Sequence, residues 1–285
     1  NLSYSTIGVA APTHKACRVL QESINLPNIK ASTLQSDLGL RLNFDVDKFD
    51  INNPPFDPKG RIKIDKYKIY IVDESSMINK GLCTFLEKIC KSKECKLLYI
   101  GDSYQLPPVN EYKSMAFEGI RKYELTEIVR QEEDNPVLSL LNILRDDIKN
   151  NKNNFLAYLM NNRNRFDADN IKGYAVMNND DFCKEMLTYF SDEQITKNVD
   201  FVKIIAYTNR AVGNWNKFIR KNIIVSANKS IITKDDLFIS YITLVDEFMS
   251  IIIQNSEEYI VKDIVDYVHP KYGLKGFMVK FQAIH

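Results

Sequence analysis

The stretch Ile69 to Met77, IYIVDESSM, constrains the fold more than any other part of the chain. Apolar residues run straight into two adjacent acids. A continuous apolar run of this length reads as a strand buried on both faces, and such strands belong to parallel sheets covered by helices. The predicted strand covers Tyr67 to Val72, and a second, Leu97 to Ile100, ends in Gly101-Asp102. Between them, Lys80 to Cys90 sets Leu82, Phe85, Leu86 and Ile89 at helical spacing. Strand, helix and strand in alternation predict an α/β fold with a parallel sheet. Ligands of such sheets gather at the carboxyl ends of the strands, and Asp73, Glu74, Gly101 and Asp102 all fall there.

Neighbouring carboxylates repel, and neither is easily buried alone. A divalent cation resolves the conflict, holding one carboxylate ionised and leaving the other to act on water. On that reading Asp73 holds Mg2+ at a nucleotide phosphate, largely through water, and Glu74 deprotonates the attacking water. An acidic turn capping a helix is the plainer alternative. In GDSYQLPPV, Gly101 to Val109, the Gln105 amide can bond both a terminal phosphate oxygen and the water, and it carries no charge to titrate. Here the competing reading is a Pro-rich surface turn. ELTEIVRQ, Glu124 to Gln131, puts Arg130 near a domain junction. It could stabilise charge on a transferred phosphoryl group there, or it could be a solvated arginine at a helix end.

Ile7 to Ala11 reads as a strand and Thr13 to Gln21 as a helix. Leu42 to Asp65, rich in Asp, Asn and Pro, reads as a β-hairpin insertion. Its tip, Pro54, Pro55 and Phe56, is either a wedge against an end base pair or an ordinary turn. Asn135 or Asp134 caps a helix with Pro136 in its first turn. Asp180 to Phe190 reads as a helix, Val202 to Tyr207 as a strand, and Asn209 to Ile223 as a helix with Val212, Trp215 and Ile219 on one face. Trp215 there reads as core. From about Ile239 the Ile/Val/Tyr-rich runs suggest a β insertion. The expected divisions are 1–132 with the hairpin 42–65, then 133–238 and 239–285.

Composition narrows the partners. With 45% hydrophobic and 26% charged residues, the 285-residue chain has a soluble globular profile. No apolar run approaches the roughly 18 residues of a bilayer span. A net charge of +1 means that a nucleic acid would need a local groove. The five cysteines lack disulfide-framework spacing, and no fourth ligand completes a zinc pattern around Cys83, Cys90 and Cys95. Free thiols in a reducing compartment are expected.

APTHKA (Ala11 to Ala16), VDESSM, GDSYQLPPV, ELTEIVRQ and AYTNRAVGNWN (Ala206 to Asn216) occur in the order found in superfamily-1 helicases of the 5′→3′ group. The chain resembles their Dda and RecD branch across most of its length. The resemblance implies RecA-like P-loop NTPase domains, with ATP and Mg2+ in a cleft and single-stranded DNA across the top. By residue, it assigns Asp73 to magnesium, Glu74 to the water, Gln105 to the γ-phosphate and Arg130 to the transferred group. Asp102 and Asn209 are implied near nucleotide. Pro12, Thr13, His14, Thr33, Thr208 and the hairpin's Phe56 are implied at DNA. The last segment resembles the start of an SH3-like insertion.

A motor of this kind would move 5′→3′ on single-stranded DNA and open duplex junctions. It is expected as a monomer in a bacterial or phage-infected cytoplasm, beside replication or recombination proteins. A catalytically inactive nucleic-acid-binding or scaffold module is the first alternative, and an unrelated nucleotide hydrolase the second. The glycine-rich loop GxxxxGK[ST] does not occur; in the family it precedes the APTH segment, which would put it ahead of Asn1. The opening NLSYSTIGVAAPTH lacks an initiator Met and reads as an internal start, and the family's late motifs would follow His285. The chain by itself is therefore expected to hydrolyse ATP weakly or not at all.

Overall fold

The computed structural model describes residues 6–42, 56–58, 60–125, 135–224, 230–240, 244–245, 251–253 and 257–284. They fall into two units, Asn1–Tyr158 and Leu159–His285.

The first unit runs β1 (Ile7–Ala11), α1 (His14–Ile24), β2 (Ala31–Thr33), α2 (Leu34–Asp37), β3 (Leu40–Leu42), β4 (Phe56–Pro58), β5 (Ile69–Val72), α3 (Lys80–Ser92), β6 (Lys96–Tyr99), α4 (Pro136–Asn150) and the start of α5 (Phe155–Asn161). Four strands form one sheet in the order β2-β1-β5-β6, and every pairing is parallel. The register aligns Thr33 with Ala11, Ala10 with Val72, and Val72 with Tyr99. All four strands therefore end along one edge. This is the α/β parallel sheet that the apolar runs predict.

Tyr70 and Val72 of β5 are fully buried, and Leu34, Ile64, Ile78, Cys83 and Leu86 pack into the same core. The α3 face centres on Cys83, Leu86 and Cys90, with Leu82, Phe85 and Ile89 flanking it half-buried. Three of the five cysteines are thus core side chains, Cys83, Cys90 and Cys95, which fits the thiol's behaviour as a small hydrophobe. The α3 start is capped by Asn79, whose Oδ1 accepts from Leu82 N at 2.9 Å. Arms β3 and β4 pair antiparallel, Leu42 opposite Phe56. The hairpin tip, with Pro54 and Pro55, lies outside the described residues.

Burial pushes the Cys90 thiol up from 9.0 to about 12, and it raises Cys83, Cys95 and the phenols of Tyr70 and Tyr99 in the same direction. A group whose folded pKa is raised contributes its full stability below its unfolded pKa and loses it as pH rises through the folded value. The melting temperature is therefore expected to hold from neutral pH to about 9 and to fall between about 9 and 12. Thermal melts across this range check it; a Cys90→Ala chain should fall less steeply over the same window.

The second unit contains β7 (Asn164–Phe166), β8 (Gly173–Ala175), α6 (Asn179–Phe190), α7 (Asn209–Ile223), β9 (Leu237–Ile239), β10 (Leu244–Val245), β11 (Ile251–Ile253), β12 (Glu258–Val268) and β13 (Lys275–Ala283). Trp215 of α7 meets Phe182 of α6 edge-on at 5.3 Å and Phe218 at 5.6 Å, so its ring packs against aromatic neighbours of its own unit. Strands β13, β12 and β9 form an antiparallel sheet. Arg220 of α7 grips Asp236 with two bonds of 2.7 and 2.9 Å, tying the helix to the start of this sheet.

One expected strand does not form. Residues 202–206 are extended but join no ladder, and Ile205 and Tyr207 are fully exposed. A strand exists only as a member of a hydrogen-bonded pair, and among the described residues none runs beside this segment. No described helix is long and apolar enough to cross a membrane.

Candidate functional site

The end of β5 is sewn to the end of β6. Asp73 N donates to Ala10 O at 2.8 Å, which continues the ladder one residue past the strand. The chain then reverses at Glu74, which adopts the left-handed conformation (φ 50°, ψ 39°) and opens a 3-10 turn over Ser75–Met77. Glu74 N donates to Asp73 Oδ1 at 2.9 Å. Ser75 N donates to Ile100 O at 2.9 Å, and its hydroxyl donates to Val72 O at 2.7 Å. Both acids are left half-buried at the sheet's carboxyl edge.

Gly101 follows β6 because no side chain fits. A Cβ there would stand 2.9 Å from Ser75 N, 3.2 Å from Ser76 N and 3.1 Å from the Phe117 ring. This close approach brings the loop of Gln105 against the acidic turn. The loop closes on Asp102, whose Oδ1 accepts from Tyr104 N at 3.0 Å and whose carbonyl accepts from Gln105 N at 3.0 Å. The other carboxylate oxygen accepts from Arg145 of α4 at 2.5 Å, and the guanidinium lies over the Tyr104 ring at 4.7 Å. Asp102, expected near nucleotide, thus has both oxygens engaged within the unit.

Beside this loop lies a cavity of about 230 Å³ lined by Ser76, Ser103, Gln105, Lys113, Phe117 and Lys122. Lys113 pairs with Glu118 at 2.5 Å and holds that carboxyl below its usual range. Ser76 is 2% exposed, and its hydroxyl has no hydrogen-bond partner. A buried hydroxyl left unpaired is costly and calls for a partner.

The residue set suits a magnesium nucleotide. Among the described residues no three His, Cys, Asp or Glu side chains form a metal cage. Magnesium typically takes one or two carboxylates and completes its shell with water and phosphate oxygens, so Asp73 alone suffices on the protein side. The Ser76 hydroxyl and the two lysines supply donors for anionic oxygens.

The remaining implied residues divide. Pro12, Thr13 and His14 follow β1, and Thr33 ends β2 opposite Ala11, on the same edge as the acids. Thr13 caps α1, accepting from Ala16 N at 3.2 Å, and Thr33 caps α2, accepting from Ser36 N at 3.3 Å. Each hydroxyl keeps its proton free to donate. Thr33 is braced by buried Asp37, which accepts from Ser32 Oγ at 2.5 Å and Tyr70 OH at 2.9 Å. Desolvation lowers the His14 pKa, so its imidazole is neutral at pH 7. Thr208 caps α7, accepting from Ala211 N at 3.1 Å, and Asn209 is its first residue; both belong to the second unit. Phe56 sits at the start of β4. Arg130 lies outside the described residues.

Sequence reasoning missed Arg145 and the unpaired Ser76 hydroxyl. In LRDDI, Arg145 looks like one more charge on a solvated helix face, and its partner lies 43 positions away. Ser76 stands within DESS, but only the packing of Gly101 and Phe117 reveals its burial.

Comparison with known proteins agrees with the motif resemblance. The ATP-dependent DNA helicase Dda of Enterobacteria phage T4 is 26% identical over 250 residues, which cover 82% of this chain and 50% of that protein. An uncharacterized protein of Acanthamoeba polyphaga mimivirus is 25% identical over 278 residues, covering 91% and 53%. The chain thus spans about half the length of the curated relatives it matches. Among solved structures, the Pif1 helicase of Candida albicans is 16% identical with a TM-score of 0.45, covering 98% of this chain and 66% of that one. Bacteroides Pif1 bound to single-stranded DNA gives 16% and 0.43, covering 99% and 70%. The family described as AAA domain matches residues 3–163. That stretch is more than half of the sequence and takes in the whole parallel sheet with both of its acidic loops, so the chain belongs to the AAA domain family.

Proposed function

We propose that this chain is the working middle of an ATP-dependent DNA helicase that translocates 5′→3′ along single-stranded DNA. The observation that carries the reading is the junction of two loops at one sheet edge. The Asp73-Glu74 turn and the Gln105 loop are joined through Ser75 N to Ile100 O and packed at Gly101. A base, a metal-binding carboxylate and an uncharged amide within one small region are what phosphoryl transfer to water requires. The printed name of the T4 relative supports the motor class, and the polarity follows from the motif resemblance.

In this reading Asp73 holds Mg2+, which neutralises phosphate charge when bound. Glu74 accepts the proton of the attacking water. Gln105 donates its amide N–H to the terminal phosphate and accepts a hydrogen bond from the water through its carbonyl oxygen. The Ser76 hydroxyl, Lys113 and Lys122 add donors beside it, and Arg130 stabilises charge on the transferred group. Pro12, Thr13, His14 and Thr33 take the DNA strand along the same edge. Neutral His14 would contact phosphate by a hydrogen bond and add little to the salt dependence of binding. In the second unit, Thr208 and Asn209 serve DNA and nucleotide, and Phe56 belongs to the duplex-splitting pin.

The test is ATP hydrolysis by the intact protein with and without single-stranded DNA. Turnover stimulated by DNA supports the reading; turnover indifferent to DNA assigns the site to another nucleotide hydrolase, and its absence from the intact protein leaves a binding module.

A further inference from the structure

We propose that Arg145 is a positioning residue for Gln105, a clamp through which helix α4 sets the place of the amide at the phosphate. The inference rests on the helicase reading for what Gln105 does. The clamp itself rests on geometry.

Arg145 touches both ends of the turn that precedes Gln105. Its guanidinium donates to Asp102 Oδ2 at 2.5 Å and covers the Tyr104 ring at 4.7 Å. Asp102 and Tyr104 are themselves bonded, Tyr104 N to Oδ1, and Gln105 N reaches the Asp102 carbonyl. One cation therefore closes the turn from outside while the turn's own amides close it from within. An exposed ion pair usually contributes little to stability, so a clamp built this way is more telling for where it holds the loop than for how firmly it holds the fold. Arginine suits the role because its planar cation can pair with a carboxylate and stack on a ring at once, which lysine cannot.

The base of the clamp is rigid. Two residues along α4, Asp147 is 6% exposed and accepts from Asn154 N at 2.6 Å, Phe155 N at 2.7 Å and Asn154 Nδ2 at 3.0 Å. Lys152 N donates to its carbonyl at 2.9 Å. These bonds fix the C-terminal end of α4 to the start of α5. The helix end cannot shift without either carrying the Gln105 loop with it or breaking the clamp.

The experiment compares Arg145→Gln and Arg145→Lys with the parent in the intact protein. Three quantities are read: amide exchange across residues 103–106, melting temperature, and DNA-stimulated hydrolysis resolved into kcat and KM. Arg145→Gln is expected to speed exchange of the Tyr104 and Gln105 amides about tenfold with the melting temperature held. It is also expected to lower kcat about tenfold with KM for ATP within about twofold. Arg145→Lys, keeping the charge, should recover kcat to within about threefold of the parent. Unchanged loop exchange in Arg145→Gln overturns the proposal, and so does a kcat loss that simply tracks a falling melting temperature. A parent protein with no DNA-stimulated turnover sinks the helicase reading instead, and the loop exchange then decides the clamp alone.

Discussion

Glu74→Gln is expected to cut DNA-stimulated ATP turnover by about 10²- to 10⁴-fold, the range that a positioned general base supplies. The substitution is nearly isosteric, and it keeps the backbone bonds that hold the turn, because those come from Glu74 N and Ser75 N and not from the Glu74 carboxylate. Nucleotide binding should survive while hydrolysis fails. Steady-state hydrolysis beside a direct nucleotide-binding titration separates the two. Parent-like turnover in the variant would remove Glu74 from the chemistry and return the pair of acids to a capping role.

Gly101→Ala carries the second large effect, through packing. The added methyl would lie 2.9 Å from Ser75 N, a backbone atom held by its bond to Ile100 O, and 3.1 Å from the Phe117 ring. The ring can move; the nitrogen cannot without undoing the seam between β5 and β6. Overpacking of this kind costs about 1–3 kcal/mol, measurable by denaturant unfolding of the chain. Because the displaced atoms belong to the acidic turn and the Gln105 loop, turnover should fall at least about tenfold even where the protein remains folded. Full activity with a normal melting temperature would mean that the two loops are not held as closely as this seam implies.

Much of the first unit was legible from residue pattern. The apolar runs of β1, β5 and β6 are short and unbroken, which only a two-sided parallel sheet uses, and Asn135-Pro136 announces α4 through its cap and its first turn. Helix α7 spans Asn209–Ile223, the same residues its periodicity predicts. Reasoning failed where the deciding partner was distant. Val202 to Tyr207 has strand composition, yet no described neighbour offers it a ladder. On α3 the predicted face used Leu82, Phe85, Leu86 and Ile89. The buried stripe also takes Cys83 and Cys90, which a pattern of large apolar residues passes over. At the candidate site the acids and Gln105 could be named in advance because each follows a strand. The Asp102–Arg145 pair could not, since nothing local to either residue signals the other.

The left-handed turn at Glu74 reaches beyond the chemistry. Only glycine adopts this backbone region freely, with Asn next, and for other residues it costs on the order of 1–3 kcal/mol. Glu74 pays that penalty permanently, at φ 50°. Heat resistance and catalysis therefore pull position 74 in opposite directions. Lineages released from the need to turn over ATP would drift there toward Gly or Asn, gaining stability as they lose the base. The residue found at this position in a descendant would then record whether its motor still runs.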